Sequence, residues 1–220
     1  MKIVPIPNGM FAENCYLVID ERAGECAIVD PGEEAGLILH KVRASGAKPV
    51  AIWLTHAHID HVLGVPEIAA ETGAPLWLHP ADRPLYDAVP EQAAYFGLAQ
   101  PDRLPAPDHE MTAGAELAVG ELRFAVRHAP GHSPGSVCLV GHGIVLSGDV
   151  LFAGSIGRTD LPGGDFDTLI ASIERELLAL PDDTIVYSGH GPETTIGRER
   201  RGNPFLTGAA FARVRPVQAR

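Results

Sequence analysis

Cysteine is scarce in this 220-residue chain: Cys15, Cys26 and Cys138 are widely spaced, with no CxxC pair. An odd, dispersed set makes no disulfide framework and fits free thiols in a reducing compartment. Long apolar runs are also missing. No stretch approaches the roughly 18 uninterrupted apolar residues that a membrane helix needs. Pro5, Pro7 and Gly9 break the first residues before a signal-peptide core can form. Basic residues are few, 17 Lys+Arg against 28 Asp+Glu, for a formal net charge of −11. Phosphate backbones and anionic lipid both require a basic surface, so this balance excludes nucleic-acid and membrane partners. There is no fixed-period repeat and no low-complexity tract. What is there, 45% hydrophobic and 20% charged residues, is enough to bury a core and excludes intrinsic disorder. The length suits one domain over 1–220. The expectation is a cytoplasmic protein acting on a small-molecule substrate.

Hydrophobic periodicity predicts short strands at 2–6, 14–20 and 26–30, then a helix over 32–45. A strand at 49–54, a helix at 65–72 and a strand at 76–78 follow, an order that implies helices packed on a sheet. Residues 80–113 are punctuated by prolines, with Tyr86, Tyr95 and Phe96 between them. They read as a Pro-rich insertion: a surface excursion packed by its own aromatics, or a wall on the substrate side. Strands resume at 116–119, 122–128, 136–140 and 144–147. Residues 166–180 carry one apolar stripe behind a capping Asp165 and end at Pro181, predicting a helix. A last strand at 184–187 runs into Gly189-His190-Gly191. Gly141-His142-Gly143 reads as a hairpin turn, and Trp53 and Trp77 as core positions.

The strongest chemical signal is His56-Ala57-His58-Ile59-Asp60-His61. Histidines at i and i+2 share a face only on extended backbone, so the segment is a turn after a strand. Four ligand-type side chains in six positions cannot be buried without partners, and a metal is the economical partner. His132, Asp149 and His190 have the same character, each just beyond a predicted strand with glycine beside it. Seven such residues are too many for one metal and suit two. His40, His79, His109, His128 and His142 lie on a helix or near turns and are assigned to no metal.

Together, Thr55-His56-x-His58-x-Asp60-His61, Gly131-His132-Ser133-Pro134-Gly135-Ser136, Ser147-Gly148-Asp149 and Gly189-His190-Gly191 resemble the metallo-β-lactamase superfamily. The resemblance runs from about residue 14 to 205. It implies an α/β fold, a four-layer αββα sandwich of two pseudo-symmetric halves. Residues 157–164 (GRTDLPGG) and 189–197 (GHGPETTIG) look most like the single-domain glyoxalase II-like hydrolases, of hydroxyacylglutathione hydrolase type. By motif position, the resemblance implies that His56, His58 and His132 hold one metal and Asp60, His61 and His190 a second. Asp149 would bridge them. The catalytic carboxylates are then Asp60 and Asp149, with Asp60 a ligand rather than an acid. The implied cofactors are two divalent metal ions, zinc first, with iron or manganese compatible with the same donors.

The implied reaction is hydrolysis of an S-2-hydroxyacylglutathione thioester by metal-activated water, with a thiolate leaving. Persulfide dioxygenases share the H-x-H-x-D-H turn and the Gly-Arg-Thr-Asp segment, and for them a single Fe(II) on His56, His132 and Asp149 is implied. The Gly-His-Gly-Pro context of His190 resembles the hydrolases more. A lactonase would use the same activated water. Arg158 either holds a substrate carboxylate or ties to Asp160 within its own turn. Two-domain glyoxalase II enzymes use a C-terminal helical extension to help bind glutathione, and this sequence stops at 220 without one.

Overall fold

A computed structural model describes residues 1–98, 101 and 104–208. Six strands form the first sheet in sequential order: β1 (Lys2–Asn8), β2 (Glu13–Asp20), β3 (Glu25–Val29), β4 (Lys48–Trp53), β5 (Leu76–Leu78) and β6 (His109–Glu110). The first three are antiparallel; β3 to β6 are parallel. Parallel neighbours need crossovers. These are α1 (Ala35–Ser45), the pair α2 (Ile59–Val62) and α3 (Val65–Thr72), and the pair α4 (Arg83–Asp87) and α5 (Val89–Phe96). Pro5 and Pro7 are tolerated because β1 is an edge strand.

The second sheet holds β7 (Glu116–Val119), β8 (Leu122–His128), β9 (Val137–Gly141) and β10 (Ile144–Gly148). A two-stranded ribbon follows, β11 (Leu151–Phe152) with β12 (Ser155–Ile156). The chain then runs through α6 (Phe166–Ser172) to β13 (Ile185–Ser188), β14 (Thr194–Thr195) and α7 (Ile196–Gly202). The order is β14-β13-β10-β9-β8-β7, with β10 and β13 parallel.

Three apolar layers fix the architecture. Tyr16, Val18, Val29 and Trp53 of the first sheet meet Val119, Phe124, Val126 and Leu139 of the second, so the sheets pack face to face. Leu17, Ile28 and Ile52, on the first sheet's other face, bury Ile38 of α1 and Ile68 of α3. Cys138, Val145 and Val186 bury Leu169 of α6 and Ile196 of α7. The result is the four-layer αββα sandwich that the family resemblance implies. No helix among the described residues is long and apolar enough to cross a membrane.

Three elements differ from the sequence reading. The helix expected from residue 32 starts at Ala35, because Gly32 is wedged against the Asp60 carbonyl and the side chains of Asn8 and Glu13. The helix expected over 166–180 is α6 followed by a π-helical turn, Ile173–Leu177, that keeps Ile173 and Leu177 in the core. The largest difference is at 80–113. Three of its six prolines do not mark a loop: Pro80, Pro84 and Pro90 each stand in the first turn of a helical segment, where a missing N–H is harmless, while Pro101, Pro105 and Pro107 lie in irregular chain. Tyr86, Val89 and Ala93 are buried in the outer core of the first sheet. Residues 99, 100, 102 and 103 of that stretch lie outside those described.

Candidate metal centre

Strand direction brings the predicted residues to one edge. In the first sheet β3 and β4 run parallel, so Asp30 and the His56–His61 segment leave from the same end. In the second, β8, β10 and β13 share a direction, so His132, Asp149 and His190 also leave together. Backbone bonds seal the two edges: Val137 N–H donates to Thr55 O at 2.9 Å, and Asn14 N–H to Gly189 O at 2.7 Å. His58 is extended at φ −72° and ψ 151°, whereas Asp60 and His61 lie in the single helical turn of α2. That break turns the two halves of the motif toward different neighbours.

All seven residues converge, in two groups. His58 Nδ1 is 2.8 Å from His132 Nε2, which is 3.1 Å from His56 Nε2. Asp60 Oδ2 is 3.2 Å from His190 Nε2 and 3.7 Å from His61 Nε2. Asp149 stands between the groups: Oδ2 is 3.6 Å from His132 Nε2 and 3.5 Å from His190 Nε2, and Oδ1 is 3.4 Å from His61 Nε2. Gly189 makes room for this carboxylate. A Cβ there would collide with Asp149 Oδ1 and stand 2.7 Å from His61 Cε1.

Each outer nitrogen shows which inner nitrogen is free. His132 Nδ1–H donates to the Arg158 carbonyl at 2.8 Å, and His190 Nδ1–H to the Phe11 carbonyl at 3.1 Å. His61 Nδ1–H donates to Asp30 Oδ2 at 3.2 Å. His56 Nδ1 is 3.1 Å from Thr55 Oγ1, whose proton goes to Asp30 Oδ2 at 2.6 Å, so the hydroxyl accepts from the imidazole. These partners assign the tautomers and leave the Nε2 lone pairs of four histidines aimed inward.

Such an arrangement calls for a cation. Unprotonated nitrogens about 3 Å apart repel unless something positive lies between them. His61 Nε2 and Asp149 Oδ1 are buried, face each other and have no hydrogen-bond partner; buried polar atoms are seldom left so. Imidazoles with carboxylate oxygens suit zinc, iron or manganese. The residues therefore fit divalent metal.

Electrostatics divides the site along the same line. Burial, reinforced by His61 and His132, holds His56 well below the usual imidazole range; burial and His132 hold His58 down to about 3. Two neutral imidazoles, those of His56 and His58, thus stand side by side. Burial works against charge on the other side too, but there opposite charges win. Asp60 and Asp149 lift His61, and His61, His132 and His190 draw the Asp149 carboxyl well below the usual carboxylate range.

Three supporting residues escaped the sequence reading. Asp30, at φ 50°, fixes Thr55 and His61 together; it ends a strand before Pro31-Gly32, the same criterion that singled out Asp149. Buried Asp82 accepts from Ala57 N–H, Gly135 N–H and Ser133 Oγ–H, tying the His56–His61 turn to the His132 loop. No local pattern marks it. Glu13, fully buried with its pKa pushed well up by burial, takes the amide of Asn8 and lies 3.8 Å from His61 Nδ1. Arg158 touches the site only through its carbonyl; its exposed guanidinium forms two bonds to Asp160. His79 and His128 stack on each other at 4.1 Å, and neither joins a metal-ligand group among the described residues.

Known proteins are similar to this chain over most of its length. Residues 8–190 match the metallo-β-lactamase superfamily. The hydroxyacylglutathione hydrolase GloC of Haemophilus influenzae is 40% identical over 210 residues, 94% of this chain and 98% of that protein. The crystal structure of the BLEG-1 B3 metallo-β-lactamase superposes with a TM-score of 0.87 at 42% identity, covering 94% of this chain and 100% of its own. That of TTHA1623 in a di-iron-bound form gives 0.85 at 44% identity, covering 92% and 100%. Two packed sheets, a seven-residue His and Asp pit at their common edge and a match over most of the length lead to one conclusion: the chain belongs to the metallo-β-lactamase superfamily.

Proposed function

We propose that the chain is a binuclear metallohydrolase that cleaves thioesters of the S-2-hydroxyacylglutathione type. One observation carries the reading: the Asp149 carboxylate lies within 3.6 Å of His132 on one side and within 3.5 Å of His61 and His190 on the other. His56, His58 and His132 would hold one cation, Asp60, His61 and His190 the second, with Asp149 facing both. Two divalent cations in that pit supply Lewis acidity for an acyl oxygen and bring the pKa of water toward about 7. Asp60 is engaged by His190 at 3.2 Å and serves as a ligand, not as a proton donor. A thiolate leaves without general-acid help, so the chain needs no separate acid. Buried His56, His58 and His61 exclude bulk water from the floor of the pit. The similarity to GloC favours a thioester.

The test is turnover of S-D-lactoylglutathione, beside a persulfide and a lactone, on protein reconstituted with zinc, iron or manganese and of measured metal content. Thioester cleavage that tracks two equivalents of metal and disappears in Asp149→Ala supports the reading. Sulfide-dependent oxygen uptake on one iron, or near-normal turnover by Asp149→Ala, contradicts it.

A further inference from the structure

His190 is held from outside the centre by the Phe11 carbonyl, which accepts from Nδ1–H at 3.1 Å. That carbonyl lies in the four-residue tip between β1 and β2, where Ala12 N–H donates to Gly9 O at 3.2 Å. Gly9 stands at φ 67° and Ala12 at φ 51°. A non-glycine residue keeps that conformation only where its surroundings fix it. The fixing groups come from the two residues before α1. Glu33 Oε2 accepts from Met10 N–H at 3.0 Å, and Glu34 Oε2 from Gly9 N–H at 3.2 Å. In return Glu34 N–H donates to Asn8 Oδ1 at 3.2 Å, and the Asn8 amide ties the root of the tip to Glu13 O and Glu13 Oε2. A Cβ on Gly9 would stand 2.9 Å from Glu33 Cβ and Oε2, so the tip lies directly on that side chain.

The backbone around His190 is fixed separately. Asn14 N–H donates to Gly189 O at 2.7 Å, and the Asn14 amide to Ser188 O at 3.1 Å and Gly191 O at 2.9 Å. The two glutamates therefore bear on the ring of His190, and through it on the group that includes Asp60 and His61. The other group is anchored elsewhere, His56 on Thr55 and His132 on the Arg158 carbonyl. Glu33 and Glu34 are exposed, so replacing them empties no core position. Resting on the two-cation reading above, we infer that Glu33 and Glu34 are positioning residues, a latch on the β1–β2 tip that aims His190 Nε2 at the second cation and leaves the first cation's ligands alone.

The test compares wild type with two double variants, Glu33→Ala/Glu34→Ala and Glu33→Gln/Glu34→Gln, the second of which keeps both acceptors. Zinc-loaded protein is equilibrated with a graded chelator and the retained zinc is counted. The alanine pair should release one of its two ions about 10-fold more readily and hold the other as wild type does. The glutamine pair should match wild type, and the metal-free proteins should melt within about 2 °C of one another. Retention of both ions by the alanine pair, equal loss of both, or a glutamine pair no better than the alanine pair overturns the latch. Imidazole 15N spectra of the metal-free proteins separate this outcome from failure of the two-cation reading. His190 should be the Nδ1–H tautomer in wild type and in the glutamine pair, and a mixture of tautomers in the alanine pair. If wild type holds a single zinc while the tautomer responds in this way, the two-cation reading fails and the latch on His190 stands. A His190 signal identical in all three proteins overturns the latch whatever the zinc count.

Discussion

Replacing Asp82 by alanine should damage the centre without touching any of the seven converging residues. The carboxylate accepts from two backbone donors, Ala57 N–H at 3.0 Å and Gly135 N–H, and from Ser133 Oγ–H at 2.7 Å. In the variant Ser133 keeps a partner, Ser136 Oγ at 2.7 Å, but the two amides are left buried and unpaired. At about 1–3 kcal/mol for each unpaired donor, the loss is about 2–6 kcal/mol. Part is returned, because burial already disfavours this carboxylate and pushes its pKa up. A net loss of about 3 kcal/mol corresponds to a Tm lower by about 6–12 °C for a chain of this size. Because Ala57 lies between His56 and His58, and Gly135 follows His132, metal retention should fall about 10-fold as well. Calorimetry and competition with a graded chelator measure the two effects. A Tm within about 2 °C of wild type, with unchanged metal retention, would refute the reasoning.

Gly32→Ala places a Cβ 2.5 Å from the Asp60 carbonyl, 2.6 Å from Asn8 Oδ1 and 2.7 Å from Glu13 Oε2. The α2 backbone must move, at a cost of about 1–3 kcal/mol, so a melting curve that superimposes on wild type contradicts the packing described. His79 supplies a pH signature. Burial, with a smaller push from His128, lowers its pKa from 6.5 to about 4. Between those values the unfolded chain binds a proton that the native one does not, so stability is lost as pH falls from 6.5 toward 4. His79→Asn should therefore show a smaller drop in Tm between pH 7 and pH 5, and an equal drop in both proteins would remove His79 from the account.

Much of this was legible before any coordinates. Ligand-type residues just past apolar runs mark strand ends, and the His56–His61 spacing requires an extended segment followed by a turn. The alternation of elements gave helices packed on a sheet, and the resemblance to the metallo-β-lactamase superfamily gave the four layers. What failed was local reading where non-local contacts decide. Pro80, Pro84 and Pro90 mark loops and helix starts alike, and only burial of Tyr86 and Val89 against the first sheet selects the helices. Asp82 gains its role from donors 25 to 53 residues away, so nothing nearby could announce it. Asp30 was within reach, since it ends a strand two residues before Gly32, much as Asp149 follows one at Gly148. Arg158 was open to two readings, a substrate carboxylate or a tie to Asp160, and the guanidinium bonds to Asp160.

Equilibrium dialysis followed by elemental analysis, on wild type, His190→Ala and Asp149→Ala, tests the two-cation centre most directly. Two ions per chain in the wild type are expected, and one in His190→Ala, which keeps the trio of His56, His58 and His132. A saturating value of one in the wild type, unchanged by loss of His190, would mean that the second group of ligands holds nothing.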